Sequence, residues 1–245
     1  MKTTVHGDHL IQLTRFPVFF PINCYLVREG DGFTLLDTGI GGGAGAILAA
    51  ARAAGGPIVR IALTHAHADH VGALDALYAE LPDAEVAITA RDARFLRGER
   101  GLDPGEPDTK PRGSFKTCAT RPTRILAPGD RVGSLEVVAA PGHTPGHVAF
   151  FDPRDGTLIA GDAFQTRGGV AVSGVMRLTF PFIAFATWHA PTALHSARAL
   201  RALDPARLAT GHGAVLEAPL PALDRAIEVA ARKIGEDMPS GRRVA

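Results

Sequence analysis

Apolar residues along this chain fall in short runs punctuated by glycine, proline and acidic turns, a pattern of many strands with helices between them. Residues 23–28 and 33–37 read as strands, and Glu29-Gly30-Asp31-Gly32 between them predicts a hairpin. After Asp37-Thr38-Gly39 comes a glycine cluster, then an alanine-rich helix over 47–54 closed by Gly55-Gly56-Pro57. The apolar run 58–63 predicts a strand that leads into a polar segment at 65–70 and a helix over 71–79. Residues 85–89 predict a further strand and 91–96 a short helix, whereas 102–122 is a proline- and charge-rich excursion. Strand pairs are expected around 132–140 and 148–160, and apolar residues at helical spacing mark helices at 192–203 and 222–234. Strands mixed with helices in two similar halves suit an α/β fold, an αββα sandwich with two paired sheets and helices outside.

Composition narrows the class. With 245 residues the chain can bury a large core, and no linker-like segment divides it, so one domain over 1–245 is expected. The formal net charge is +1 with lysines and arginines scattered, which offers no broad basic face and argues against a nucleic-acid partner. Residues 1–13 contain His6, Asp8 and His9 where a secretion signal needs an unbroken apolar segment, and no stretch approaches membrane-spanning length. A cytoplasmic protein with no membrane partner is the expectation. Cys24 and Cys118 do not make a disulfide framework.

The run His65-Ala66-His67-Ala68-Asp69-His70 puts four metal-ligand side chains within six residues, directly after an apolar strand. Alternate residues at a strand end share a face, so His65 and His67 can reach one ion, while Asp69 and His70 fall in the following turn and can face a second. A histidine-rich surface turn is the competing reading, and the downstream partners weigh against it. Gly142-His143-Thr144-Pro145-Gly146-His147 follows the strand at 135–140, Gly161-Asp162 follows 157–160, and Gly211-His212-Gly213 follows Arg207–Ala209. Each candidate ligand lies beside a glycine, where the backbone turns tightly. His147 is separated from His143 by Pro145-Gly146, which argues against a helix, so it reads as a hydrogen-bonded structural residue; His6 and His9 read as surface residues. The cluster Gly39-Ile40-Gly41-Gly42-Gly43 lacks the Lys-Ser/Thr ending of a phosphate loop.

This ordered set, His-x-His-x-Asp-His, then a His, an Asp and a His, resembles the signature of the metallo-β-lactamase fold superfamily from Asn23 to about Gly213. The resemblance implies that His65, His67 and His143 bind one metal, that Asp69, His70 and His212 bind another, and that Asp162 bridges them. Two divalent ions are implied, zinc foremost, although iron, manganese and nickel also fit imidazole and carboxylate donors. It also implies Asp37 as a group that orients the ligands from behind. The implied activity is hydrolysis of a small ester, lactone or thioester by a metal-bridging hydroxide, with Asp69 as a catalytic ligand. The alternatives are an oxidoreductase like the persulfide dioxygenases, which hold one iron with a subset of these ligands, and β-lactamase or phosphoesterase turnover as a side activity.

Departures from named branches restrict the substrate less than the chemistry. Gly161-Asp162-Ala163-Phe164 resembles glyoxalase II-type thioesterases, but Gln165-Thr166-Arg167-Gly168-Gly169 replaces their cysteine- and arginine-containing segment. Gln165 also stands about where quorum-sensing lactonases have tyrosine. A small-molecule substrate is therefore read from the loop at 164–190, rich in apolar residues, together with Pro17-Val18-Phe19-Phe20. Phe19, Met176, Phe180, Phe182, Trp188 and His189 are the candidate substrate contacts, an apolar wall suited to an uncharged or acyl-bearing molecule.

Overall fold

A computed structural model describes residues 1–235; residues 236–245, the end of the expected domain, lie outside the described residues. The first sheet runs in chain order through β1 (Lys2–His6), β2 (Leu10–Arg15), β3 (Ile22–Glu29), β4 (Gly32–Leu36), β5 (Ile58–Ala62), β6 (Glu85–Thr89) and β7 (Arg124–Leu126). Pairings are antiparallel through β4 and parallel from there to β7. The parallel steps require crossovers, supplied by α1 (Ala44–Ala53), α2 (Ala68–Val71) with α3 (Leu74–Glu80), and α4 (Ala90–Leu96). β8 (Arg131–Val132), β9 (Leu135–Ala139), β10 (Val148–Asp152) and β11 (Thr157–Ile159) form the second sheet together with β14 and β15 (Arg207–Ala209 and Leu216–Glu217). Between them in sequence lie the short pair β12 and β13 (Phe164–Gln165 and Ala171–Val172), α5 (Phe182–Ala186) and α6 (Ala190–Ala202); α7 (Leu220–Ile234) closes the described chain.

Alternation along the strands explains the layers. In β3, Cys24 and Leu26 join the cluster under α1, α3 and α4, while Tyr25 and Val27 point the other way. In β10, Val148 and Phe150 meet the first sheet's inner face, whereas Ala149 joins Leu194, Leu200 and Leu223 beneath α6 and α7. Both sheets are thus apolar on both faces, the inner ones sharing one core and the outer ones covered by helices, which is the αββα sandwich expected from the sequence.

Three local departures have physical reasons. β1 and β2 were not foreseen, because β1 is largely exposed and carries polar residues on both faces. The helix expected over 71–79 is split at Gly72-Ala73. A Cβ on Gly72 would come within 2.6 Å of Ala68 O, Gly41 N and Ile40 Cα, so this glycine permits the close approach of α2 to the turn at 39–43. α5 is too short for a periodic signal.

Candidate metal centre

Strand ends from both sheets meet at one edge of the sandwich. β5 delivers His65 and His67, α2 carries Asp69 and His70, the turn after β9 carries His143, the turn after β11 carries Asp162, and the turn after β14 carries His212. Ligand atoms of His65, His67 and His143 lie within 4.8 Å of one another, as do those of Asp69, His70 and His212. Asp162 sits between the two trios, its Oδ1 3.4 Å from His70 Nε2 and its Oδ2 3.4 Å from His143 Nε2 and 3.3 Å from His212 Nε2. Asp69 Oδ2 is 3.3 Å from His212 Nε2. A side chain on Gly211 would fall on Asp162 Oδ1, so the glycine there makes room for the carboxylate.

Hydrogen bonds behind each imidazole settle which nitrogen faces inward. His212 Nδ1 donates to Pro21 O at 2.7 Å, and His67 Nε2 donates to Arg112 O at 2.8 Å. His70 Nδ1 donates to Asp37 Oδ2 at 2.7 Å. The Thr64 hydroxyl donates to the same carboxylate, leaving its lone pair to accept from His65 Nδ1 at 2.9 Å. Thr187 donates to Ile183 O, so it accepts from Ser173, which in turn accepts from His143 Nδ1 at 2.9 Å. Every outer nitrogen is therefore an N–H with an oxygen acceptor, and five lone pairs converge inside with two carboxylates. His67 Nδ1 and His143 Nε2 approach to 3.0 Å, while His65 Nε2, His70 Nε2 and Asp162 Oδ1 are buried with no hydrogen-bond partner. Such a collection of acceptors is unfavourable unless cations lie between them, and the donor set fits divalent metal.

The electrostatics carry the same signature. Burial pushes the protonation of His65 and His143 well below the usual imidazole range, the neighbouring histidines adding to the effect. Burial opposes protonation of His70 and His212 too, but the carboxylates of Asp162 and Asp69, with Asp37 also acting on His70, outweigh it and raise both, His212 to about 10. Asp162 is held well below the carboxylate range by His212 and His70 despite its burial.

Asp92 is a residue that sequence reasoning missed. It is fully buried, and its carboxylate accepts from Ala66 N, Gly146 N and the Thr144 hydroxyl at 2.8–2.9 Å. It therefore ties the His65-x-His67 turn to the His143 turn. Burial raises its pKa to about 6 even against these hydrogen bonds. The Thr89-x-x-Asp92 spacing at the start of α4 carried a signal, but of helix capping, and the Thr89 side chain does accept from Asp92 N. His147 has the structural place expected of it, its Nε2 accepting from Asp162 N at 3.0 Å.

Above the cluster opens a cleft of about 840 Å³ whose lining includes His67, Asp69, His143, Asp162 and His212 at its floor. Of the six expected substrate contacts, Phe182 lines it; the other five do not. Phe19 points to solvent at 86% exposure, and its neighbour Phe20 faces the cleft instead. Phe180 is wholly buried against Phe20 and the His212 ring, so it supports the floor from behind. Trp188 is buried with its indole N–H donated to Thr109 O, and His189 caps α6 through Thr192. Met176 is half-buried outside the cleft. The wall is built instead from Phe16, Phe20, Ile22, Phe182, Ile183 and Phe185.

Comparison with known proteins agrees with this geometry. The family model of the metallo-beta-lactamase superfamily matches residues 17–212. The uncharacterized protein YobT of Bacillus subtilis (strain 168) is 47% identical over 220 residues, spanning 89% of this chain and 94% of that one. The probable metallo-hydrolase YflN of the same organism is 31% identical over 213 residues, 78% of this chain and 80% of that one. A hydroxyacylglutathione hydrolase of Synechococcus sp. is 32% identical over 132 residues, 50% of this chain and 42% of that protein. Among solved structures, TTHA1623 in a di-iron-bound form is 31% identical with a TM-score of 0.64, covering 86% of this chain and 96% of that one.

Proposed function

The chain belongs to the metallo-β-lactamase superfamily, and from that premise we propose that it is a dinuclear metal-dependent hydrolase cleaving a small ester, lactone or thioester. The observation that carries this reading is the inward convergence of five imidazole lone pairs and two carboxylates, each imidazole fixed from behind. His65, His67 and His143 would hold one ion, Asp69, His70 and His212 a second, and Asp162 both. Two divalent ions bound there would polarise a carbonyl oxygen and lower the pKa of water from about 15.7 to about 7. Completeness of the second trio favours two ions over the single iron of an oxygenase.

The chain's own groups have separable tasks in this scheme. Asp69 is half-buried at the cleft floor, with 28% of its side chain accessible; desolvation opposes its charge, but His70 and His212 outweigh it and hold its pKa below the usual carboxylate range. It therefore accepts a hydrogen bond from the attacking water and aims it at the substrate carbon. Water oxygen bonds to the carbonyl carbon as its proton passes to Asp69, the acyl–oxygen or acyl–sulfur bond breaks, and the leaving oxygen or sulfur takes up that proton from Asp69. Asp37, Thr64, Ser173 and Pro21 hold the imidazoles in the required tautomers throughout. Among the described residues no helix is long and apolar enough to cross a membrane.

Metal analysis combined with a panel of lactones, thioesters, aryl esters, phosphoesters and β-lactams tests the proposal. The expected result is two divalent ions per chain and turnover of a carboxylic ester, lactone or thioester well above the other classes. One redox-active iron with oxygen consumption would replace it by oxidoreductase chemistry.

A further inference from the structure

We propose that the group carried into this cleft is an uncharged, apolar acyl chain or ring, and that glutathione thioesters are poor substrates. The proposal rests on the hydrolase reading for its chemistry but on different residues for its support. α5 presents Phe182 and Phe185 three residues apart on one face, with Ile183 buried beneath. Both phenylalanines line the cleft and remain 50% and 62% exposed, as does Phe16 at 49%. Exposed aromatics that converge on a site cost hydration free energy until something apolar covers them.

Aromatic contact runs without a break from the rim to the cluster. The Phe182 ring lies 4.8 Å from Phe20, and Phe20 lies 5.5 Å edge-on to the His212 imidazole. An acyl chain laid along Phe182 and Phe20 therefore brings its carbonyl to the side of the floor formed by His212 and Asp69. Charge recognition, by contrast, is sparse. Lys116 is the one lysine or arginine among the described residues lining the cleft, and its ammonium donates a hydrogen bond to Gly72 O. Glutathione carries carboxylates at both ends and an ammonium beside one of them, and a single tethered cation cannot match them. The Synechococcus hydroxyacylglutathione hydrolase aligns with this chain over 42% of its own length, so the remainder of that protein lies outside the similarity.

The test uses methyl ketones of increasing chain length, which are not hydrolysed, titrated calorimetrically into the metal-loaded protein. Affinity should rise about two- to fourfold per added methylene, the upper figure corresponding to complete burial at ~0.8 kcal/mol each. Phe182→Ser and Phe185→Ser should flatten that series with metal content unchanged, since the ring contacts of Phe182 are with Phe20 and Phe180 and not with a histidine of the cluster. A chain-length series already flat in the unaltered protein, or one unaffected by both substitutions, overturns the proposal. So does hydrolysis of S-lactoylglutathione with a kcat/KM equal to that of an apolar acyl thioester of an uncharged thiol. Ketone binding with the expected slope but no cleavage of any ester, lactone or thioester would instead remove the hydrolase reading and leave the apolar site standing.

Discussion

The floor and the wall of the cleft are held in place by opposite means. On the floor, His65, His70, His143 and Asp162 are at most 3% exposed, and each ring is anchored by a hydrogen bond leading back to a carbonyl or carboxylate. On the wall, Phe16, Phe182 and Phe185 stand about half in solvent on a turn and a five-residue helix, their side chains held by packing alone. The floor is specified to a single arrangement of donors and acceptors, because an unpaired buried polar group costs ~1–3 kcal/mol. The wall needs only apolar surface of roughly the right shape, and apolar contact tolerates replacement. Changes to the floor should therefore cost metal and turnover, and changes to the wall should cost substrate affinity.

Asp162 offers the largest contrast. It approaches histidines of both trios, so Asp162→Ala should remove the group they share. Metal content should fall below that of the unaltered protein, and kcat/KM should drop by about a thousandfold or more, in line with the several kcal/mol a bound ion supplies. Full metal occupancy with activity reduced less than tenfold would break the division between floor and wall. Asp69→Asn is a milder change on the same floor. The amide keeps the volume and one acceptor oxygen but loses the charge, so the fold should persist while kcat falls about a hundredfold, at the lower end of what a group handling a proton contributes. Circular dichroism and steady-state kinetics on one sample check both halves of that statement.

The floor should also show itself in acid. Burial lowers the pKa of His147 to about 3 from its usual 6.5, with His70 and His67 nearby adding to the effect. Between those values the unfolded chain binds a proton that the folded chain refuses, so stability is lost as pH falls below 6.5, by about 1.4 kcal/mol per pH unit for this group. His147→Gln keeps an acceptor without the titration. Urea midpoints from pH 7 to pH 4.5 should fall less steeply in that variant, and identical slopes would mean that His147 does not titrate in this range.

How much of each region could be read from the sequence follows from the same contrast. The clustering of the floor was legible because four of its side chains occur within six residues and the other three each follow an apolar strand and sit beside a glycine. Asp92, Ser173 and Thr187 were not, since the spacing around Asp92 signals only a helix cap, a lone hydroxyl signals nothing, and the partners lie far along the chain, as with Asp92 and Gly146. The wall was legible in composition but not in position. Phe180 and Trp188 are as apolar as Phe182 and Phe185, yet the first pair is buried and the second about half exposed, a distinction set by contacts with residues far along the chain, Phe20 and His212 for Phe180 and Thr109 for Trp188. The edge strand β1 shows the same limit, because a largely exposed edge strand lacks the apolar alternation that identifies an inner one.

The smallest expected effect lies in one pair of neighbours on the wall. Phe19 and Phe20 are adjacent and chemically identical, and the structure sends the first into solvent and the second between Phe180, Phe182 and the His212 ring. Phe20→Ala removes the aromatic bridge from rim to floor, and KM for an apolar ester should rise about five- to thirtyfold, the equivalent of ~1–2 kcal/mol of lost apolar contact. Because Phe20 also packs on His212, metal content must be measured in the same sample; an intact metal complement assigns the loss to the wall. Phe19→Ala changes an exposed ring with no role in the cleft, so KM, kcat and melting temperature should stay within error of the unaltered protein. A rise in KM for Phe19→Ala matching that for Phe20→Ala would mean that the segment from Phe16 to Phe20 meets substrate with both faces, and the wall would have to be drawn wider than the cleft shows.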